Sequence, residues 1–199
     1  MVIKNKICSS ELPVGYREIY SVNLQKDKKT ALIVNIAALI LMVIFVIIGI
    51  LIVPVSYTFD NDESIATVLI KMIAALAGMI VYLILHELVH GITMKHYGAK
   101  KVKYGFTGLY AFAGCDEFFS KKPYIVIALA PIVVWGVVLA AVCCFVPKSW
   151  FWVVYFIQIM NLSGAAGDLY VTYKFSKFPK DILIKDTGLE MKVYSETSN

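Results

Sequence analysis

Long apolar runs separated by short charged stretches set the pattern of this chain. Four of them approach the roughly 20 residues that a helix needs to cross a hydrocarbon layer: residues 31–55, 65–85, 124–146 and 150–173. The second keeps its helical pattern through a polar stretch and reads as one helix over 65–97, with Gly98 as its C-cap. Trp150, Trp152 and Tyr155 mark an interfacial end of the fourth, as aromatic belts do. Residues 102–119 mix Tyr104, Phe106, Leu109, Tyr110, Phe112 and Phe118 with Gly105, Gly108 and Gly114, a pattern of short strands joined by turns. The tail is similar, with strand-like residues 181–185 and 189–194 flanking Asp186-Thr187-Gly188, which reads as a turn. The predicted fold class is an all-α membrane protein of about four transmembrane helices, with a small cytoplasmic β-hairpin loop and a short β-like C-terminal tail. One membrane-embedded domain is expected over residues 1–199, with spans at about 31–55, 65–97, 124–146 and 150–173 and a cytoplasmic tail over 174–199.

Composition reinforces the membrane reading. The chain is 59% hydrophobic with a mean hydropathy of +0.74, above the usual range for a soluble globular domain. Lys4, Lys6, Glu11, Arg17 and Glu18 interrupt the N-terminus, and the first apolar run is too long for a signal-peptide core, so no cleaved leader is expected. The lysines also give an orientation. They crowd the segment before the first run (Lys26, Lys28, Lys29), the segment between the second and third (Lys95, Lys100, Lys101, Lys103, Lys121, Lys122) and the tail, while residues 56–64 carry only Asp60, Asp62 and Glu63. The positive-inside rule places both termini and the central loop in the cytoplasm of a multi-pass plasma-membrane protein. Topology and anionic lipid account for the lysines, so no nucleic-acid partner is expected. Cys8, Cys115, Cys143 and Cys144 form no C-x-x-C pair and read as free thiols. Lys71 reads as snorkelling toward the outer headgroups, and Pro54 and Pro131 as kinks or packing features.

The candidate chemistry lies at the end of the second run, in His86-Glu87-Leu88-Val89-His90. On a helix the two imidazoles sit one turn apart on one face and can grip one metal ion, with Glu87 beside them as a general base toward water. A catalytic zinc takes a third protein ligand. The remaining histidine, His96, lies off that face. Asp168 is the acidic residue of the fourth run, and an ionisable group inside a span is functional by default. Depth favours it: His86 comes about 20 residues into the second run and Asp168 about 18 into the fourth, so about 30 Å and about 27 Å of helix. The small residues 163–167 suit close helix approach. Asn161, two turns before Asp168, is a candidate for holding a substrate backbone or an oxyanion. The expected cofactor is one Zn2+ held by His86, His90 and Asp168.

The His-Glu-x-x-His borne on a span and paired with an Asp on a later one resembles the site-2 protease class of intramembrane metalloproteases. A nearer match is a zincin-peptidase family of small bacterial membrane proteins. Its pattern is similar to His86–His90 followed by Gly91, then Ala128-Leu129-Ala130-Pro131, Asn161 through Gly167-Asp168, and a tail like Asp186-Thr187-Gly188, covering residues 82–194. The resemblance implies a four-span core, one zinc and peptide-bond hydrolysis, with a hairpin at 102–119 that presents substrate as an added strand. In the site-2 class the Asp precedes a Gly near proline; here Gly167 precedes Asp168 and no proline is near. The expected function is a zinc-dependent metallopeptidase acting near the cytoplasmic face on a peptide or membrane-protein substrate. The alternative is a non-catalytic metal-binding membrane scaffold; metal transport is disfavoured because the spans carry no polar path. Oligomeric state is left open.

Overall fold

A computed structural model describes residues 7–58, 63–108 and 110–196; Lys4, Lys6, Asp60, Asp62 and Leu109 lie outside them. In chain order the elements are β1 (Cys8–Ser9), β2 (Tyr16–Val22), α1 (Lys28–Ile52), α2 (Ile65–His96), β3 (Val102–Phe106), β4 (Ala111–Cys115), β5 (Phe118–Ser120), α3 (Lys121–Phe145), α4 (Lys148–Gly164), α5 (Ala166–Ser176), β6 (Leu183–Asp186) and β7 (Met191–Glu196). The all-α expectation is therefore wrong: the protein is mixed α/β, with a five-stranded sheet ordered β1-β5-β6-β7-β2 and a two-stranded sheet β3-β4. The expectation of four transmembrane helices is also corrected. Among the described residues three helices, α1, α2 and α3, are long and apolar enough to cross a membrane. The fourth run is split at Ala165 into 17-residue α4 and 11-residue α5. The cause lies in Ser163-Gly164-Ala165-Ala166-Gly167, where glycines hold helix weakly and Ala165 leaves helical geometry at ψ 15°.

The chain forms two compact units. The first comprises Met1–Ile33, Glu87–Pro131 and Asp168–Asn199. It holds both sheets, and every pairing in the larger one is antiparallel. Alternation explains the central strands: Ile184 and Val193 are fully buried, directly opposite each other, and pack with Phe119, Ile127, Phe175 and Ile182. Cys115 joins this core, and burial pushes its thiol up to about 12, so it behaves as a small apolar side chain. Cys115, Cys143 and Cys144 are free thiols. The β3–β4 hairpin occupies the glycine-punctuated segment. Close packing requires glycine at position 114 of β4, because a Cβ on Gly114 would collide with the backbone of Thr187 and Gly188 in the turn after β6.

The second unit comprises Val34–His86 and Ile132–Gly167. Its aromatic cluster of Phe151, Trp152 and Tyr155 packs with Val53 and Ile159. Two of those rings anchor α4 on α1 and the residue after it: the Trp152 indole N–H donates to the Val53 carbonyl at 3.0 Å and the Tyr155 hydroxyl to the Phe45 carbonyl at 2.8 Å. Gly49 makes that approach fit, since a Cβ would strike both rings. Lys71 does not snorkel outward. It is 1% exposed, and its ammonium donates to Thr58 O at 2.6 Å and to the two Glu63 carboxylate oxygens at 2.5 and 2.7 Å.

Replacing Gly114 by Ala should lower the melting temperature by roughly 2–12 °C, corresponding to about 1–3 kcal/mol of overpacking, because the obstructing atoms are backbone and cannot turn aside. Gly164→Ala, whose nearest neighbour would be Met160 at 4.0 Å, should leave the transition unchanged or raise it. Thermal unfolding in detergent compares the two; an equal effect would show that the β4 contact is unimportant.

Candidate metal centre

α2 runs unbroken from Ile65 to His96, so the five-residue motif inherits helical spacing. His86 and His90 fall on one face and are each 8% exposed. The ligand atoms of His86, His90 and Asp168 all lie within 4.8 Å of one another, a group that could hold a metal ion. His90 Nε2 and Asp168 Oδ1 are 3.6 Å apart, close to the ~3.4 Å expected between two ligands of a tetrahedral ion with bonds of ~2.1 Å. Two imidazoles and one carboxylate are the donor set of catalytic zinc sites, which leave one position open. The residues therefore fit the ion expected of them. His96 stays outside this group, with its ring edge on Tyr97.

The break in the fourth run is what positions Asp168. It falls in the first turn of α5, where unpaired backbone N–H groups and the helix dipole favour a carboxylate. At the other end of α5, the Lys121 ammonium donates to the Ser176 and Phe178 carbonyls at 2.7 and 2.6 Å, which fixes the C-terminus of the same helix.

His90 is oriented by a defect in α3. Its Nδ1 lies 2.9 Å from the Ile127 carbonyl oxygen. A carbonyl only accepts, so Nδ1 donates, and in the neutral ring Nε2 carries the lone pair. The Ile127 carbonyl is available because its helical partner would be the N–H of residue 131, which is Pro131 and has none. A proline that reads as a kink thus releases the acceptor that sets one imidazole. Nothing in the spacing of the motif pointed to it; the signal is a proline four residues after a carbonyl facing the motif helix, visible only in three dimensions.

Glu87 sits beside the histidines on the helix. Tyr104 of β3 lies close by: burial first, and then the Glu87 carboxylate, hold its phenol above the usual range. The Tyr104 hydroxyl rests on Gly91, where any side chain would collide with it, so the glycine after His90 admits β3 against the motif turn. Asp186, in the segment read as a turn, is buried: its carboxylate accepts from the Tyr124 hydroxyl at 2.7 Å and from the Gly188 N–H at 2.8 Å. Burial raises its pKa above the ordinary value, and those two hydrogen bonds pull in the opposite direction. Asn161 is 0% exposed. Its Oδ1 accepts from the Tyr82 hydroxyl at 3.0 Å and its Nδ2 donates to the Ile132 carbonyl at 3.3 Å. Tyr82 was not singled out in the sequence, although it stands one helical turn before His86 on the same face.

Among proteins of known sequence, the chain is similar to one from Pyrococcus woesei described as "Uncharacterized 24.7 kDa protein in gap 5'region", with 34% identity over 123 residues, 59% of this chain and 53% of the relative. The chain thus spans about half the length of that relative. No solved structure matches it. A family described as "Putative zincin peptidase" matches residues 79–183, from the approach to His86 past Asp168 to the first residue of β6. That segment contains the whole ligand group, and membership implies zinc. The chain belongs to this zincin peptidase family.

Proposed function

We propose that the protein is a zinc-dependent metallopeptidase embedded in the membrane, hydrolysing peptide bonds near the cytoplasmic face in the manner of site-2 proteases. The observation that carries the reading is the convergence of His86, His90 and Asp168 within 4.8 Å, with Glu87 next to them on an apolar helix. In this reading the three residues hold the ion. When bound, zinc polarises the scissile carbonyl and lowers the pKa of water in the open position. Glu87 accepts the proton of the attacking water and delivers it to the departing amine, so one carboxylate serves both halves of the hydrolysis. Substrate would be a membrane-tethered chain or a short peptide.

Membrane embedding is supported by the surface of the long helices. Ile36, Ile40, Ile47 and Leu51 of α1 and Ile73, Ile80 and Ile84 of α2 are all exposed, an apolar area too large for a soluble monomer in water. Sidedness is supported by the lysine distribution and by the larger sheet. The N-terminal strands, β5 and the tail strands are hydrogen-bonded in one sheet, and an open sheet cannot thread hydrocarbon. All three segments then lie on one face, the lysine-rich one.

Purified Glu87→Gln protein should lose about 10²–10⁴-fold in peptide hydrolysis, the usual worth of a general acid–base, and keep one zinc per chain by elemental analysis. Turnover at the wild-type rate would overturn the role of Glu87. His86→Ala, His90→Ala and Asp168→Ala should each weaken zinc binding by more than the roughly 10–100-fold that loss of an outer partner costs, whereas His96→Ala should bind normally. Isothermal titration measures this, and unchanged affinity in the Asp168 variant would remove it from the ligand set. Zinc binding with no peptide cleaved by any preparation, from membranes or purified, would favour the scaffold reading.

A further inference from the structure

Tyr82, Asn161 and His86 form a continuous hydrogen-bonded file in the second unit. All three are buried. The Tyr82 hydroxyl is 2.8 Å from His86 Nδ1 and 3.0 Å from Asn161 Oδ1, and Asn161 Nδ2 is 3.3 Å from the Ile132 carbonyl oxygen. The direction of every proton follows from the far end. A backbone carbonyl accepts, so the nitrogen of the Asn161 amide faces Ile132 and its oxygen faces Tyr82. The Tyr82 hydroxyl has one proton and gives it to that oxygen. Toward His86 it can then only accept, so His86 Nδ1 must carry a proton. In the neutral ring the lone pair is therefore on Nε2.

We infer that Tyr82 and Asn161 form a neutral relay that holds His86 as its Nδ1–H tautomer and so presents Nε2 to the metal. The inference rests on the metallopeptidase reading for its purpose, though not for its geometry. A ligating histidine commonly donates its remote N–H to a carboxylate or a backbone carbonyl, which fixes tautomer and ring orientation. His90 uses a carbonyl. His86 uses two uncharged side chains on α2 and α4. A carboxylate here would place a further charge among apolar helices, which desolvation penalises; a phenol and an amide do the same positioning without it. The Trp135 ring packs edge-on against Tyr82 at 6.4 Å between centroids and holds the phenol in place. Tyr82 and Asn161 are thus positioning residues, and full burial keeps the Asn161 amide in this file.

The relay makes opposite forecasts for its two members. Tyr82→Phe removes the acceptor and should leave His86 a mixture of tautomers. Asn161→Leu removes the acceptor of the Tyr82 proton, which can then turn to His86 Nδ1 and force the proton of the ring onto Nε2. The test is 15N NMR of histidine rings in metal-free protein at alkaline pH; with three histidines in the chain, single replacements assign the signals. Wild type should show Nδ1–H at His86, Tyr82→Phe a mixture and Asn161→Leu predominantly Nε2–H. Cobalt(II) and zinc titrations of the same samples should show affinity lower by about 10–100-fold in both variants, with unchanged helical circular dichroism. A wild-type ring protonated on Nε2, or a Tyr82→Phe protein with wild-type ring signals and affinity, would overturn the relay. Wild-type protein that shows Nδ1–H yet binds no metal would instead sink the metallopeptidase reading and leave the relay standing.

Discussion

An imidazole that gives one nitrogen to a metal must satisfy the other, and on a helix surrounded by apolar side chains there is little water to do it. Leaving that second N–H unanswered costs about 1–3 kcal/mol per group and frees the ring to turn. His86 and His90 meet this constraint differently. His90 donates to the Ile127 carbonyl, which Pro131 has released from its own helix. His86 is served from within α2 by Tyr82, one turn earlier, and from α4 by Asn161. The irregular features of the surrounding helices, a proline inside α3 and two polar side chains on apolar surfaces, become intelligible as answers to the same requirement.

The break at Ala165 belongs to the same logic. A continuous helix from 150 to 173 would put Asp168 in mid-helix, where its carboxylate meets backbone carbonyls already paired. Ending α4 at Gly164 and restarting at Ala166 places the carboxylate in a first turn, at the end of the helix dipole that favours negative charge. Lys121 reinforces the far end of the short helix.

Periodicity made α1, α2 and α3 legible to within a few residues, because length and apolarity are properties of the run itself. The i, i+4 histidines were equally legible, and charge together with depth pointed to Asp168. What stayed hidden depends on partners distant in sequence. β2 carries Arg17, Glu18 and Tyr20, whose charges hide any strand pattern; it becomes a strand only because β7 offers an edge, with Tyr20 opposite Val193. The fourth run looks continuous because hydropathy does not register the weak helix propensity of its glycines. Lys71 reads as an interfacial cation because Glu63, eight residues earlier, lies before the start of α2, where helical spacing does not set its position.

That last pair clarifies what distinguishes the metal group. Lys71 has three donor protons and meets three acceptors, Thr58 O and the two oxygens of Glu63. Donors and acceptors balance, so the cluster is closed and needs nothing further. The group on α2 and α5 is the reverse. With Nδ1 of each histidine engaged as a donor, what converges within 4.8 Å is two ring lone pairs and a carboxylate. Acceptors brought together in this way repel unless something positive lies among them. A proton can answer one pair of them, but a single divalent ion can answer all three at once and leave a fourth position for chemistry. Burying polar residues in apolar helices therefore does not by itself mark a functional site; an excess of acceptors over donors does.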